Sequence, residues 1–348
     1  MQKTSQQDNQ DSRGESSRKK VKESGERTNQ GKLILDATCA PADIRYPNDL
    51  GILNQAREQT EKIIDELCSY KTEPAQKKPR TSRKIARKDY LAVAKARRVS
   101  RKQRRKAIKK QLQYIKRNLA SIERIEKGVG LQVLKAKHYR MLLVVTEVNR
   151  QQLYMYEHNE NRIDDRIVSL TQPHIRPIIR GKAGTPVEFG AKLSASCWNG
   201  YVFLDRISWN NFNESGDLKA QVESFKNFTG ADPESVHVDR IYRTKANRAW
   251  CKEKGIRMSG VKLGRPPKNI NKSIKKQSQL DERIRSCIEG KFGEAKRRFS
   301  LNCVMTKLAN TSETTIAISF FVMNLSKLLR QFFVYFYFSF KIKHFLSI

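Results

Sequence analysis

From Lys32 the apolar residues Leu33, Ile34 and Leu35 run together, and the segment KLILDATCAPADIRY ends at Pro47. That is the pattern of a buried strand. At Asp49 the period changes. Leu53, Ala56, Ile63, Ile64 and Leu67 fall on one face of a helix, which breaks over Lys71 to Pro79. Further on, Ile108, Leu112, Ile115, Leu119 and Ile122 are spaced four, three, four, three, which predicts a helix with a narrow apolar seam. Gly128 and Gly130 punctuate. Leu134, Met141, Val145 and Val148 predict a second long helix running toward Tyr156, and the two form an antiparallel hairpin.

Beyond Asp164 the pattern shortens to strands. Arg166 to Leu170 is β-branched, and Val187, Phe189, Ala191 and Leu193 alternate. Asn199-Gly200 between CW and YVFLDRISW signals a tight hairpin, because a type I′ turn needs positive φ at both central residues. A helix from Ser215 to Phe228 ends at Gly230. Ser235 to Tyr242 is a strand, Lys245 to Lys254 a short helix stopped by Gly255, and Ile256 to Val261 a last strand. Ser278 and Asp281 have capping-box spacing ahead of a helix reaching about Arg298, and Thr315 to Leu329 is an apolar helix. This order fits an α/β, ribonuclease-H-like core: a mixed sheet with flanking helices and a long basic helical insertion after the first strand. The expected division is a polar segment 1–31, the first strand region 32–50, the helical insertion 51–160, the rest of the core 161–325 and an aromatic tail 326–348.

Charge adds a partner class. Lys and Arg number 70 against 35 Asp and Glu, a net charge of +35. Such a chain attracts polyanions, nucleic acid first, although an anionic membrane surface or a ribosomal location fits the same number. Lys77 to Arg117 holds 19 Lys or Arg and one acid, Asp89. A solvated helix face would look alike. With so few compensating acids a phosphate-binding face is preferred, with Arg101, Lys102, Arg104 and Arg105 as DNA contacts. The six cysteines form no Cys-x-x-Cys pair or zinc spacing and read as reduced thiols of a cytoplasmic protein. Residues 1–31 have only Met1 and Val21 as apolar residues and are expected to be disordered. Phe332 to Phe340 is too short to span a membrane and is bracketed by Arg330 and Lys341; a buried or aggregation-prone tail is expected, and no membrane partner. Trp198, Trp209 and Trp250 are assigned to the core.

Three acids stand out by placement. Asp36 follows Leu33-Ile34-Leu35, Asp239 follows Val236-His237-Val238, and Glu289 lies in the amphipathic helix before Arg298. Charges at the ends of buried strands are costly unless paired or metal-bound, and carboxylates suit hard cations such as Mg²⁺. Singly, each has a plain alternative: a turn or cap residue for the aspartates, a solvated side chain for the glutamate. Arg285, Glu289 and Lys296 share one helical stripe, which serves equally as a salt-bridge ladder or as a carboxylate flanked by phosphate-holding cations. His237 alternates onto the face of Asp239 and is read as a satisfied core or surface histidine. Gly264-Arg265-Pro266, between Lys262 and Lys268, has the form of a minor-groove hook but is taken as a basic loop.

The segments LILDATCAPADIRYPNDL, QPHIRPIIRGKAGTPVEFGAKL, FLDRISWNNFNESGDL, VDRIYRTKANRAW, GVKLGRPPK and RIRSCIEGKFGEAKRRF together resemble a DDE transposase of the insertion-sequence-five group, from about Lys32 to Leu325. That family's Arg-x3-Glu-x6-Lys signature falls on Arg285, Glu289 and Lys296. The resemblance implies that Asp36, Asp239 and Glu289 are catalytic and hold two Mg²⁺ ions, for which Mn²⁺ can substitute, with Asp36 bridging. It implies hydrolysis and strand transfer at insertion-sequence ends, Lys296 and Arg285 positioning the DNA end, transposon-end and target DNA as partners, a homo-oligomer on DNA, and a bacterial nucleoid location. Three departures stand out. Only 35 residues precede Asp36, where relatives carry a further helical domain for end binding. Arg243 replaces a usual Gly and is expected to crowd the site. The aromatic tail looks like drift or an altered reading frame. An inactive, truncated DNA-binding remnant is therefore the alternative. A basic RNA-binding or ribosomal protein accounts for the charge but not for the three acids.

Overall fold

The computed structural model describes residues 29–70, 77–179, 187–260 and 272–345, with side chains placed through Tyr337. Residues 1–28, and the Gly264-Arg265-Pro266 loop with its lysines, lie outside the described residues.

The chain is a mixed α/β structure. In order it forms β1 (Lys32–Pro41), α1 (Asp49–Ser69), α2 (Arg83–Ala94), α3 (Arg101–Val129), α4 (Ala136–Glu157), β2 (Arg176–Ile179), β3 (Val187–Trp198), β4 (Tyr201–Ser208), α5 (Leu218–Thr229), β5 (Ser235–His237), α6 (Lys245–Glu253), β6 (Arg257–Met258), α7 (Lys272–Arg298) and α8 (Ala309–Phe345). The sheet order is β2-β3-β1-β5-β6, with β4 also paired to β3. β1, β3 and β4 run antiparallel in turn, while β1, β5 and β6 are parallel. Asn199 and Gly200 take φ of 50° and 75°, the left-handed pair that a tight β3–β4 turn demands.

Alternation along β1 sorts the two faces of the sheet. Leu33 and Leu35 pack with Leu218, Val222 and Phe225 of α5 and with Val236 of β5. Ile34 and Ala40 point the other way, into a core made with Ile288 and Phe292 of α7 and Ile316, Phe320 and Met323 of α8. Trp198 and Trp250 pack against the first cluster and Trp209 against the second. No disulfide joins any of the six cysteines.

Helices α1 to α4 form a separate bundle. The start of α1 (Ile52, Leu53, Ala56) meets Leu112 and Ile115 of α3 and Val145 and Val148 of α4. Its end (Ile63, Ile64, Leu67) meets Ile122 and Ile125 of α3 and Leu142 of α4. Contacts therefore advance together along α1 and α3 and run backwards along α4, which makes α3 and α4 an antiparallel hairpin. Arg57 is fully buried in this bundle and is compensated by Glu61 and by Asn54 Oδ1 at 2.8 Å.

The basic run from Lys77 to Arg117 spans α2 and the first half of α3, with 95–100 between them. Three expectations need correction. Arg166 to Leu170 is not a strand. Ile167 and Leu170 are buried against the bundle, and the Ile167 amide donates to Gln151 Oε1 at 2.9 Å, so its polar backbone is satisfied without a sheet partner. Ser278 caps nothing, because α7 is already helical from Lys272; Asp281 is buried and receives both guanidinium nitrogens of Arg257 at 2.9 Å. The segment 235–242 is strand only to His237 and closes as a 3-10 turn over Arg240–Tyr242. The apolar C-terminal helix is longer than expected and absorbs the aromatic run. By length and composition Ala309–Tyr337 could cross a membrane, yet Ile316, Phe320 and Met323 on it belong to the protein core.

Candidate active site

Asp36 stands one residue past Leu35, and the alternation of β1 turns it to the α7 side of the sheet together with Ile34. β5 lies beside β1 with Ile34 opposite His237, so the chain leaving β5 carries Asp239 to the same edge. α7 crosses this face, anchored by Ile288, Phe292 and Ala295. Flanking these anchors on the same turns, Arg285, Glu289 and Lys296 reach the cavity beside Asp36. All five residues line one open cavity of about 810 Å³, together with Thr38, Lys192, Asn211, Phe212 and Glu214 among others.

The three acids differ in environment. Asp36 is half-buried, and Oδ1 accepts from the Ala37 amide at 2.8 Å. Burial pushes its carboxyl up to about 6. The Ala37 hydrogen bond and the Arg285 charge oppose that rise, whereas Glu289 and Asp239 add to it. Asp239 is exposed and caps the following 3-10 turn through the Arg240 amide at 2.5 Å. Glu289 is 53 % exposed and accepts from Arg285 Nη1 at 2.9 Å. Arg285 is shared with Glu282 at 2.5 Å, and these two carboxylates hold its guanidinium well above the ordinary arginine range.

Thus the salt-bridge ladder and the shared cavity coexist. Among the described residues, no three His, Cys, Asp or Glu side chains are grouped tightly enough to hold a metal ion as placed. The donor set nevertheless fits a hard divalent cation: three carboxylates lining one cavity, one of them partly desolvated and destabilised by the other two.

Sequence reasoning missed other residues that line this cavity. Lys192 of β3 pairs with Glu214 at 2.5 Å and also donates to the Phe212 carbonyl. The Phe212 ring lies 4.8 Å from the Lys192 ammonium and 4.0 Å from the Arg206 guanidinium. The run WNNFNE offered a turn signal at most, since only the tertiary fold lays that loop beside Asp36. Arg243 is not among the residues lining the cavity; its side chain reaches toward the Gly260 carbonyl at 3.5 Å.

The basic candidates lie in the bundle, away from this cavity. Arg105 is half-buried, donates to the Tyr156 carbonyl at 2.6 Å and to Asn159 Oδ1 at 3.2 Å, and stacks over the Tyr156 ring at 4.1 Å. Arg101 also reaches Asn159, at 3.1 Å. Lys102 and Arg104 are exposed, and among the described residues their side chains have no hydrogen-bond or ion-pair partner. Asp89, the one acid of the basic run, is occupied by Lys110 at 2.8 Å and Tyr114 at 2.9 Å.

Residues 236–326 match the family described as the transposase DDE domain. The match begins in β5, takes in Asp239, Arg285, Glu289 and Lys296 and ends within α8. It supports a DDE transposase, a class that acts on DNA and generally uses divalent metal ions. No curated protein and no solved structure matches the chain.

Proposed function

We propose that this protein is a transposase of the insertion-sequence-five group, which cleaves phosphodiester bonds at insertion-sequence ends and joins the freed 3′ ends to target DNA. The observation that carries this reading is the meeting of Asp36, Asp239, Arg285, Glu289 and Lys296 in one cavity. The strand arrangement supports a ribonuclease-H-like core: three antiparallel strands β4, β3 and β1, extended by parallel β5 and β6. In this reading 32–50 and 161–325 form the catalytic core, 51–160 is a DNA-gripping insertion, and 326–348 is a tail. The enzyme works as an oligomer on bacterial nucleoid DNA.

Asp36, Asp239 and Glu289 would hold two divalent ions, Mg²⁺ or its substitute Mn²⁺, and such ions supply the charge that activates a water or 3′-hydroxyl and stabilises the leaving oxygen. Asp36, the most buried of the three, would bind such an ion as the carboxylate. Arg285 shares its guanidinium between Glu282 and Glu289. With Glu289 holding a cation, Arg285 would keep Glu282 and could offer its other guanidinium nitrogen to a phosphate. Lys296, on the same stripe of α7, offers its ammonium to the backbone of the scissile strand. The exposed basic faces of α2 and α3 hold flanking duplex without reading sequence.

The test is single-turnover cleavage, in Mg²⁺, of duplex carrying the end sequences of the element that encodes the chain. The wild-type chain should nick the element end, and Asp239→Ala should bind it without nicking. A wild-type chain that binds but cuts in neither Mg²⁺ nor Mn²⁺ would establish the inactive remnant instead.

A further inference from the structure

The two long sides of α8 are unlike. Its inner side is built into the molecule: Ile316, Phe320 and Met323 are buried, and Asn324 bonds the Val202 amide and carbonyl at 2.9 and 2.7 Å. Farther along, Lys327 bonds the Asn199 carbonyl and lies 3.9 Å over the Tyr201 ring. Gln331 accepts from the Tyr201 hydroxyl at 2.6 Å, and Arg330 reaches Glu294 at 2.8 Å. The outer side carries Ile318, Phe321, Leu325, Leu328, Phe332 and Tyr335, all 42 to 74 % exposed. Their spacing is three, four, three, four, three.

That interval is the a/d repeat of a helix that pairs with another helix, sustained over two and a half heptads. We propose that this outer stripe is a dimerisation seam, and that its occupant is the same stripe of a second copy of this chain. Three arguments select that occupant. The stripe contains no charged residue, and the two cations of this stretch are engaged within the chain, Lys327 over the Tyr201 ring and the half-exposed Arg330 by Glu294. A helix that lies on anionic lipid needs free cations on the polar face flanking its apolar side, whereas Lys327 and Arg330 are both held in this way. The apolar area is also of the right size. With exposed flanking residues included it is on the order of 1,000 Å², above the roughly 300–600 Å² of an ordinary monomer's largest patch and comparable to the ~800 Å² per partner of a standard interface. Finally, a heptad stripe is complementary to itself under a two-fold axis, which needs no second protein.

The net charge of +35 opposes association, so the test uses full-length, nuclease-treated protein in salt high enough to screen that charge. Light scattering should give the mass of two chains at micromolar concentration. Leu325→Glu combined with Leu328→Glu should halve the mass and leave the melting temperature of the monomer fold intact, because both side chains are exposed. The corresponding double Met variant should remain dimeric. Tyr335→Arg, at the end of the stripe farthest from the core, should weaken the dimer without touching the packed half of α8. A wild-type chain that is monomeric under these conditions, or a double Glu variant that is still dimeric, overturns the proposal. So does monomeric wild type that floats with phosphatidylglycerol vesicles while the double Glu variant does not, which would assign the stripe to lipid.

Discussion

Asp36 is held half out of water beside two other acids because β1 turns every second residue toward α7. Its carboxyl, raised to about 6, makes the metal-free fold sensitive to pH. The sign follows from linkage. A group whose folded pKa exceeds its unfolded value of about 3.9 favours folding in the protonated form, so relative stability is fullest at low pH and falls as pH rises through about 6. Asp36→Asn removes that ionisation. In chelator, urea melts well above pH 6 should show the variant stabilised, by at most about 3 kcal/mol, with the gain vanishing below about pH 4. Cleavage should be lost at every pH. A gain that does not change with pH would mean that Asp36 is not the strained acid. Glu289 and Glu294 make a second residue-scale contrast. Glu289 is exposed and pairs with Arg285 alone, a contact worth roughly 0.3–0.5 kcal/mol, so Glu289→Gln should barely move the melt yet abolish cleavage. Glu294 is no neutral control for stability. It takes Lys291, Arg298 and Arg330 at 3.2, 3.3 and 2.8 Å and ties α7 to α8. Glu294→Gln should cost roughly 1–2 kcal/mol and spare the single-turnover rate. Equal losses of rate at both positions would remove Glu289 from the site.

At the scale of elements, α2 and α3 carry the basic run, and their residues are not equivalent. Arg105 clasps α3 to the end of α4 through Tyr156 and Asn159, so its loss should loosen the bundle rather than only weaken DNA binding. Lys102, Arg104, Lys106 and Lys109 are exposed. Changing those four together to Gln should leave the melt in place and flatten the slope of log K against log salt on duplex DNA by up to about 3–4 units, since each neutralised phosphate contributes about −0.9. An unchanged slope would move the DNA contact to another surface. Elements with a strong local signature are legible in the sequence itself: β1 from Leu33-Ile34-Leu35, the β3–β4 hairpin from Asn199-Gly200, α5 from its terminal Gly230. Arg166 to Leu170 is not, because Ile167, Val168 and Leu170 are apolar for the sake of the bundle, and a short apolar run has no period of its own. Asp281 misleads in the same way. Its distance from Ser278 imitates a cap, while its partner Arg257 is far away in sequence on β6. In the cavity, Asp36, Asp239 and Glu289 betray themselves as acids at the ends of apolar runs or on a charged stripe. Lys192, Asn211, Phe212 and Glu214 carry no such mark, since a loop side chain gains a neighbour such as Asp36 only when the sheet closes.

The whole molecule bears a charge of +35, and that charge acts on fold and partner with opposite signs. Like charges on α2 and α3 repel one another across the bundle surface, where Asp65 is already engaged by Arg83 and Lys78 and Asp89 by Lys110. Condensing the chain therefore concentrates repulsion that the unfolded state can dilute. Salt shortens the reach of that repulsion to about 10 Å at 0.1 M and less above it, so added salt stabilises the DNA-free fold. The same salt weakens the complex with DNA, because binding is driven by the release of counterions from the duplex. The expected outcome is a crossing of two trends. In a thermal melt without DNA, moving from low salt to several times the physiological level should raise the melting temperature by a few degrees, of which each kcal/mol accounts for roughly 2–4 °C in a domain of this general size. With a short duplex in excess, low salt should instead give the higher melting temperature, since a ligand bound only to the native state adds RT ln(1 + [L]/Kd) to its stability. Neutral osmolyte in place of salt should not reproduce the crossing. A DNA-free melting temperature that falls with salt would show that net attraction among charges, rather than repulsion, dominates the folded surface.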